Sequence, residues 1–485
     1  MTASIAHLVA GQWRDGDGER VCSVNPTRPN EVVAEGYSAT RTDVDDAVTA
    51  ASKALPDWAA TPIHSRGAVL SAAAAVVDVN AEQWGLELAV EEGKTRLEGV
   101  GEVRRAAQIL RYYGAEGDRA GGEIFASPRA GEQILVTRKP VGVVGVITPF
   151  NFPIAIPAWK IVPALVYGNT VVWKPASSVP LLAMRLAQAL TEAGLPPGVL
   201  NLLVGNAELG DTLVNHEGVA AITFTGSTGV GRRIAAAAAG RGVPVQAEMG
   251  GKNAAVVLDD ADFDLALEQV MLGAFRSTGQ KCTATSRLIL TEGIADEFMA
   301  ALVQRADALV VGDPADDSTQ MGPVIARSAQ AAITAGIDAA KSQGATVLAG
   351  GGPYSDGPLS EGYFVAPTIV ELTGPSDIWA QELFGPVLAV RRAQDADEAF
   401  ALADDSEFGL SAAVFTQDLT RAMQAMECID VGVLHINSES AGADPHVPFG
   451  GAKKSGFGPK EQGSAAREFF THTTTVYLRG GTARA

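Results

Sequence analysis

The sequence predicts an α/β protein: two interleaved doubly wound parallel-sheet domains with a small β arm. Three observations lead there. From about residue 170 onward, apolar runs of strand length alternate with amphipathic stretches of helix length, the pattern of a parallel sheet covered by helices on both faces. The segment 141–148 is nearly all apolar, as a strand buried on both faces is. No repeat or low-complexity linker separates the α/β sets, so the crossings between domains are expected to be short. A chain of 485 residues also exceeds what one compact core accommodates.

The elements follow in order. Residues 43–117 read as helical. Asp43 and Asp45 open a stretch with Val44, Val48, Ala51 and Leu55 on one face, and further helices are expected over 70–79, 86–97 and 103–113. Residues 133–137 alternate and predict a half-exposed strand. The first α/β set has strands at 170–173, 199–204, 220–224 and 243–248, with helices at 180–193, 209–214 and 230–239. The second set, about 253–425, has strands at 254–258, 286–290, 345–349, 387–391 and 412–416. Residues 469–478 are β-rich again, and a terminal strand needs a partner; a neighbouring subunit is the expected one.

Composition removes several function classes. The chain is 47% hydrophobic and 19% charged, a globular balance. Its net charge of −19 and lack of a Lys/Arg cluster argue against nucleic acid. Residues 1–14 lack the basic-then-apolar order of a secretory signal. No apolar run reaches the roughly 18 residues of a membrane span. Three cysteines give no disulfide framework and fit a reducing cytoplasm. No metal is expected.

Cys282 lies in Ser277-Thr278-Gly279-Gln280-Lys281-Cys282-Thr283. A thiol in so polar a run is a candidate nucleophile; a buried packing cysteine is the plain alternative. The turn Thr225-Gly226-Ser227-Thr228-Gly229-Val230-Gly231 follows a strand and opens a helix, whose free N–H groups suit an anion. Asn151, in Thr148-Pro149-Phe150-Asn151-Phe152-Pro153, sits in a loop stiffened by two prolines and carries an amide able to meet an oxyanion. Lys174 ends a strand at the edge where open α/β sheets bind ligands. Glu248, beside Gly250 and Gly251, is expected to be buried, which raises a carboxylate pKa and suits a general base; pairing with Lys252 is the alternative. Glu382-Leu383-Phe384-Gly385-Pro386 and Pro448-Phe449-Gly450-Gly451 are loops on their own evidence.

Taken together and in order, these pieces resemble the aldehyde dehydrogenase superfamily over essentially the whole chain. The resemblance implies a Rossmann-like dinucleotide-binding domain (1–117 and 141–248), a catalytic domain (249–450) and an oligomerisation arm (118–140 and 465–485) in a homodimer or homotetramer. It implies that Cys282 attacks an aldehyde carbon, that Asn151 and the Cys282 N–H hold the oxyanion, and that hydride passes to nicotinamide. Glu248 would then activate the water that hydrolyses the thioester, so its presence implies release of an acid, not transfer to coenzyme A. Lys174, counted with the catalytic set, and Glu382 would hold the two riboses. Ser227 and the following helix would hold the pyrophosphate and Phe384 would pack near the nicotinamide, with Thr148, Pro149, Phe150, Gly205, Gly226 and Gly231 among the other cofactor-binding residues. NAD-preferring relatives often carry a Glu where Ser177 stands, so NADP is the favoured cofactor and NAD a usable one. Arg276 would meet the far carboxylate of a semialdehyde; Trp159 stands where succinate-semialdehyde enzymes have a second Arg, a departure from their pattern. The polar run 437–446, with Ser440 as a further substrate contact, resembles the 2-oxoglutarate semialdehyde (2,5-dioxopentanoate) dehydrogenases. Succinate or glutarate semialdehyde, a broad range of aromatic and aliphatic aldehydes, and a non-catalytic structural role remain as alternatives.

Overall fold

The computed structural model describes residues 2–119 and 121–481. The expected domain and arm boundaries also include residues 1, 120 and 482–485, which lie outside the described residues. Two large sheets organise the chain. In the first, the parallel strands Val245–Glu248, Ala221–Thr225, Val143–Ile147, Thr170–Lys174 and Leu200–Leu202 lie side by side in that order. Val143–Ile147 starts the set: the next two strands build outward on one side and the last two on the other. That reversal is a topological switch point, and it opens a crevice between the carboxyl ends of Val143–Ile147 and Ala221–Thr225. The second sheet has seven strands. Six run parallel from Thr368–Glu371 to Val433–Ile436, and Thr346–Ala349 is antiparallel at one edge. Each sheet separates two apolar clusters, so helices cover both faces.

Several expectations are corrected. The helix expected over 86–97 is two helices, Ala81–Glu92 and Arg96–Gly114. Gly93 adopts φ 102°, a left-handed turn that ends the first, as glycine does at helix ends. Thr95 then caps the second in a reciprocal box with Glu98. The strands of residues 3–37 were not anticipated, nor were Thr368–Glu371 and Val433–Ile436. The terminal strand Thr471–Arg479 pairs along its length with Glu132–Pro140 of the same chain and forms one edge of a three-stranded sheet. The expected strand start at Phe469 is too early, because Phe469 and Phe470 close the helix Gly463–Phe470 and pack into the core.

A two-residue strand, Gly456–Phe457, returns from near the C-terminus to pair antiparallel with Ala247 and Glu248. It carries the Phe449-Gly450-Gly451 loop to Glu248. Among the described residues no helix is long and apolar enough to cross a membrane.

Candidate active site

Cys282 follows a backbone that few sequences tolerate. The helix Phe263–Phe275 runs into a short turn in which Ser277 and Thr278 both have φ 55° and Gly279 has φ 66°. Left-handed non-glycine residues are strained and persist only when their surroundings hold them. Here the Ser277 N–H and hydroxyl both donate to Glu98 Oε1, at 2.6 and 3.2 Å, and the Thr278 hydroxyl donates to the Gly322 carbonyl. A Cβ at Gly279 would stand 2.2 Å from the Gly385 carbonyl, so the turn needs glycine there. Beyond the turn, Asn253 Nδ2 donates to the carbonyls of Cys282 and Ala284 at 2.8 and 2.9 Å.

The Cys282 side chain is half-buried at the meeting point of two cavities. The smaller, about 390 Å³, is walled by Phe152, Trp159 and Phe449, with Arg105 and Arg276 among its polar groups. Arg276 Nη2 is 2.9 Å from Glu439 Oε1, and Arg105 is 3.0 Å from Asp444. The larger, about 690 Å³, opens from the switch-point crevice. Thr148, Pro149, Phe150 and Asn151 line one side, Lys174, Ser177 and Gly205 another, and Gly226, Ser227, Glu382 and Phe384 the rest.

Asn151 is buried, and its Nδ2 donates to the Gln280 carbonyl at 2.9 Å. A primary amide has two N–H bonds, so one remains for a ligand beside Cys282. Glu248 is buried too, but it lines neither cavity. Its Oε2 accepts from the Gly451 N–H at 2.8 Å, and a Cβ at Gly450 would meet its Oε1 at 2.3 Å. The expected alternative of a Glu248–Lys252 pair is not formed. Lys160 and Glu461 form a buried ion pair nearby, and Lys160 also donates to the Thr223 hydroxyl at 2.9 Å.

Burial dominates the electrostatics. It pushes the Cys282 thiol up to about 12, with the carboxylates of Glu382, Glu248 and Glu461 adding to the rise. It raises Glu248 well above the usual carboxylate range, with the charge of Glu461 next in weight. It takes Glu382 up to about 7, against the Gly251 N–H, and lowers Lys174 to about 8. The resting thiol is therefore neutral near pH 7, and deprotonation needs a base or a nearby positive charge.

The larger cavity fits a dinucleotide. The helix Thr228–Arg241 opens at Ser227 without a side-chain cap, and the buried hydroxyls of Thr225 and Thr228 have no hydrogen-bond partner in the protein. An uncapped helix N-terminus with orphan hydroxyls suits a phosphate. At Gly250 a Cβ would lie 1.9 Å from Glu382 Oε2, so the missing side chain leaves room for that carboxylate in the cavity wall.

Two expected site residues are corrected. Ser440 is fully buried and lines neither cavity; its hydroxyl donates to the Thr283 carbonyl at 2.7 Å and bonds the Thr285 hydroxyl at 2.8 Å. Gly231 packs the helix onto the sheet: a Cβ there would strike Met249 Sδ at 2.5 Å, and it does not line the nucleotide-sized cavity. Sequence reasoning missed Lys94, Glu98, Glu102, Arg105 and Gln280. Lys94 directly follows Glu91, Glu92 and Gly93, a run of acidic residues closed by a glycine and a lysine that could have flagged it.

Comparison with known proteins agrees with this geometry. The aldehyde dehydrogenase family model matches residues 13–476. An alpha-ketoglutaric semialdehyde dehydrogenase of Bacillus subtilis is 42% identical over 98% of both chains. A 2,5-dioxopentanoate dehydrogenase of Saccharolobus solfataricus is 38% identical over 97% of this chain and 98% of its own. A betaine aldehyde dehydrogenase of Rhizobium etli is 40% identical over 99% and 98%. Among solved structures, betaine aldehyde dehydrogenase from Staphylococcus aureus with NAD+ superposes with a TM-score of 0.94 at 31% identity, covering 97% of this chain and 94% of that one. PnpE from Pseudomonas sp. WBC-3 superposes with a TM-score of 0.95 at 35% identity, covering 100% and 99%. The α/β architecture, the paired cavities around Cys282 and these full-length matches lead to one conclusion: the chain belongs to the aldehyde dehydrogenase family.

Proposed function

We propose that this enzyme oxidises a dicarboxylic semialdehyde, 2-oxoglutarate semialdehyde first among them, to the acid through a thioester on Cys282. The observation that carries the reading is the position of the Cys282 side chain, open to a substrate-sized cavity on one side and a dinucleotide-sized one on the other.

Cys282, once deprotonated, attacks the aldehyde carbon, and the carbonyl oxygen becomes an oxyanion. The free N–H of Asn151 and the backbone N–H of Cys282 are its donors. Re-formation of the C=O bond with loss of hydride leaves a thioester. A bound nicotinamide dinucleotide would supply the hydride acceptor. Glu248 then takes a proton from water, which attacks the thioester carbon; the acid leaves and the Cys282 thiolate is regenerated. For this Glu248 must turn away from Gly451 toward the sulfur.

Lys174 and Glu382 would hold the riboses, Gly226 and Ser227 with the following helix the pyrophosphate, and Phe384 the nicotinamide face. Phe384 has φ 53° and meets Phe150 edge-on at 5.8 Å. Ser177 adds no negative charge to the cavity wall, so a 2′-phosphate meets no repulsion from it and NADP is favoured over NAD.

Arg276 and Arg105 supply the substrate side with guanidinium groups suited to a carboxylate. Substrate would exchange with Glu439 for Arg276. The aromatic wall of Trp159 and Phe449 favours a second reading, because such walls also take quaternary ammonium groups. Betaine aldehyde is then the competing substrate. Initial rates with 2-oxoglutarate semialdehyde, succinate semialdehyde, betaine aldehyde, benzaldehyde and hexanal test the proposal, each with NAD and NADP. A higher kcat/KM for betaine aldehyde than for every dicarboxylic semialdehyde overturns it.

The arm formed by Glu123–Ala126, Glu132–Pro140 and Thr471–Arg479 exposes Ile124, Phe125, Tyr477 and Leu478. Apolar exposure of this kind supports assembly into a homodimer or homotetramer, which analytical ultracentrifugation measures. The free thiols of Cys22, Cys282 and Cys428 support a reducing cytoplasm.

A further inference from the structure

The ammonium of Lys94 is buried beside the Asn151 loop. It donates to Glu102 Oε2 at 2.7 Å and to the backbone carbonyl of Asn151 at 2.7 Å. It lies 4.1 Å from the centre of the Phe152 ring and 3.9 Å from Glu92 Oε2. The Lys94 and Glu102 side chains are each almost completely buried.

The other oxygen of Glu102 completes the arrangement. Glu102 Oε1 accepts from the N–H groups of Ile154 and Ala155, at 3.1 and 3.2 Å, where the helix Ala155–Val166 begins. One ion pair therefore grips the main chain at two points just after the Asn151 side chain: its own carbonyl through Lys94, and the helix start three residues on through Glu102. Two prolines, Pro149 and Pro153, stiffen the same stretch. Beyond it, the Asn151 amide reaches the Gln280 carbonyl beside Cys282.

We propose that the Lys94–Glu102 pair is a positioning device for the Asn151 amide, fixing the oxyanion donor against Cys282. The inference rests on the proposed oxyanion role of Asn151. Buried ion pairs are weak evidence of net stabilisation but can fix geometry, and a misplacement of about 1 Å can cost roughly a hundredfold in rate.

A double-mutant cycle tests it. The readout is acylation of Cys282 by para-nitrophenyl acetate, which needs no nucleotide: sulfur attacks the ester carbon, the same oxyanion forms, and para-nitrophenolate leaves as the thioester is made. Lys94→Met alone is expected to slow acylation by about 10- to 100-fold, approaching the roughly 100- to 1,000-fold loss of an oxyanion donor in Asn151→Ala. In the Asn151→Ala background, Lys94→Met should change the rate less than about twofold, because residues acting as one unit are not additive. Should Lys94→Met fail to fold, Glu102→Gln, which keeps the side-chain shape and removes its charge, enters the same cycle with the same expectation. Losses that multiply across the cycle, or an unchanged rate in the Lys94→Met single variant, overturn the positioning role and leave the oxyanion role standing. An unchanged rate in Asn151→Ala overturns the oxyanion role and this inference with it.

Discussion

Asn151 Nδ2 lies 2.9 Å from the carbonyl oxygen of Gln280, two residues before Cys282. The contact ties the loop after Val143–Ile147, the first of the parallel strands in the nucleotide-side sheet, to the strained turn that presents the sulfur. Asn151→Ala should therefore lower kcat/KM by about 100- to 1,000-fold with little change in nucleotide affinity. Steady-state rates and nucleotide fluorescence titration together check this; a loss confined to nucleotide binding contradicts it.

Glu248→Gln should spare the first hydride transfer and stop turnover. The burst of reduced nicotinamide in stopped flow should approach one per active site and the following steady rate should fall by at least about 100-fold, as removal of a general base does. Loss of the burst itself would assign Glu248 to the first step instead.

The Arg276→Ala substitution should raise KM for dicarboxylic semialdehydes by about 10- to 100-fold, the worth of a hydrogen bond to a charged group, and leave hexanal nearly unchanged. Arg276 is half-exposed and paired with Glu439, so part of its binding energy is already spent in the free enzyme. Equal effects on both aldehydes would make it a structural partner of Glu439 only.

The pH dependence follows from the thiol. Burial and three carboxylates push Cys282 up to about 12. A raised acid pKa means less thiolate at a given pH. In nucleotide-free enzyme, alkylation by iodoacetamide should therefore rise about tenfold per pH unit through mildly alkaline pH, without the plateau that a free thiol shows near its ordinary value of about 8.5. Cys22 and Cys428 are exposed, so the label must be followed on the Cys282 peptide. A plateau near the free-thiol value contradicts the burial argument.

Much of the architecture is written locally in the chain. Runs such as Val143–Ile147 and residues 254–257 are apolar throughout because both faces are covered, and that pattern survives without any tertiary knowledge. Thr368–Glu371 and Val433–Ile436 escaped notice: at four residues each, alternation and length mark them only weakly. Cys282 and Asn151 were legible as chemical types in unusual company. The resting direction of Glu248 was not, because it depends on the loop at Gly450 and Gly451 returning from 200 residues further along the chain. Ser440 misled for a similar reason: a serine in a polar run reads as exposed, and only the packing against Thr283 and Thr285 reveals that its hydroxyl is satisfied.

Covalent catalysis at Cys282 is tested most directly by trapping. Glu248→Gln enzyme is mixed with 2-oxoglutarate semialdehyde and nicotinamide dinucleotide, quenched in acid and digested for mass spectrometry. The account predicts an acyl group of the substrate's oxidised mass on the peptide bearing Cys282, absent when nucleotide is omitted. An unmodified Cys282 peptide after a full hydride burst, or the acyl group on Cys22 or Cys428 instead, would contradict it.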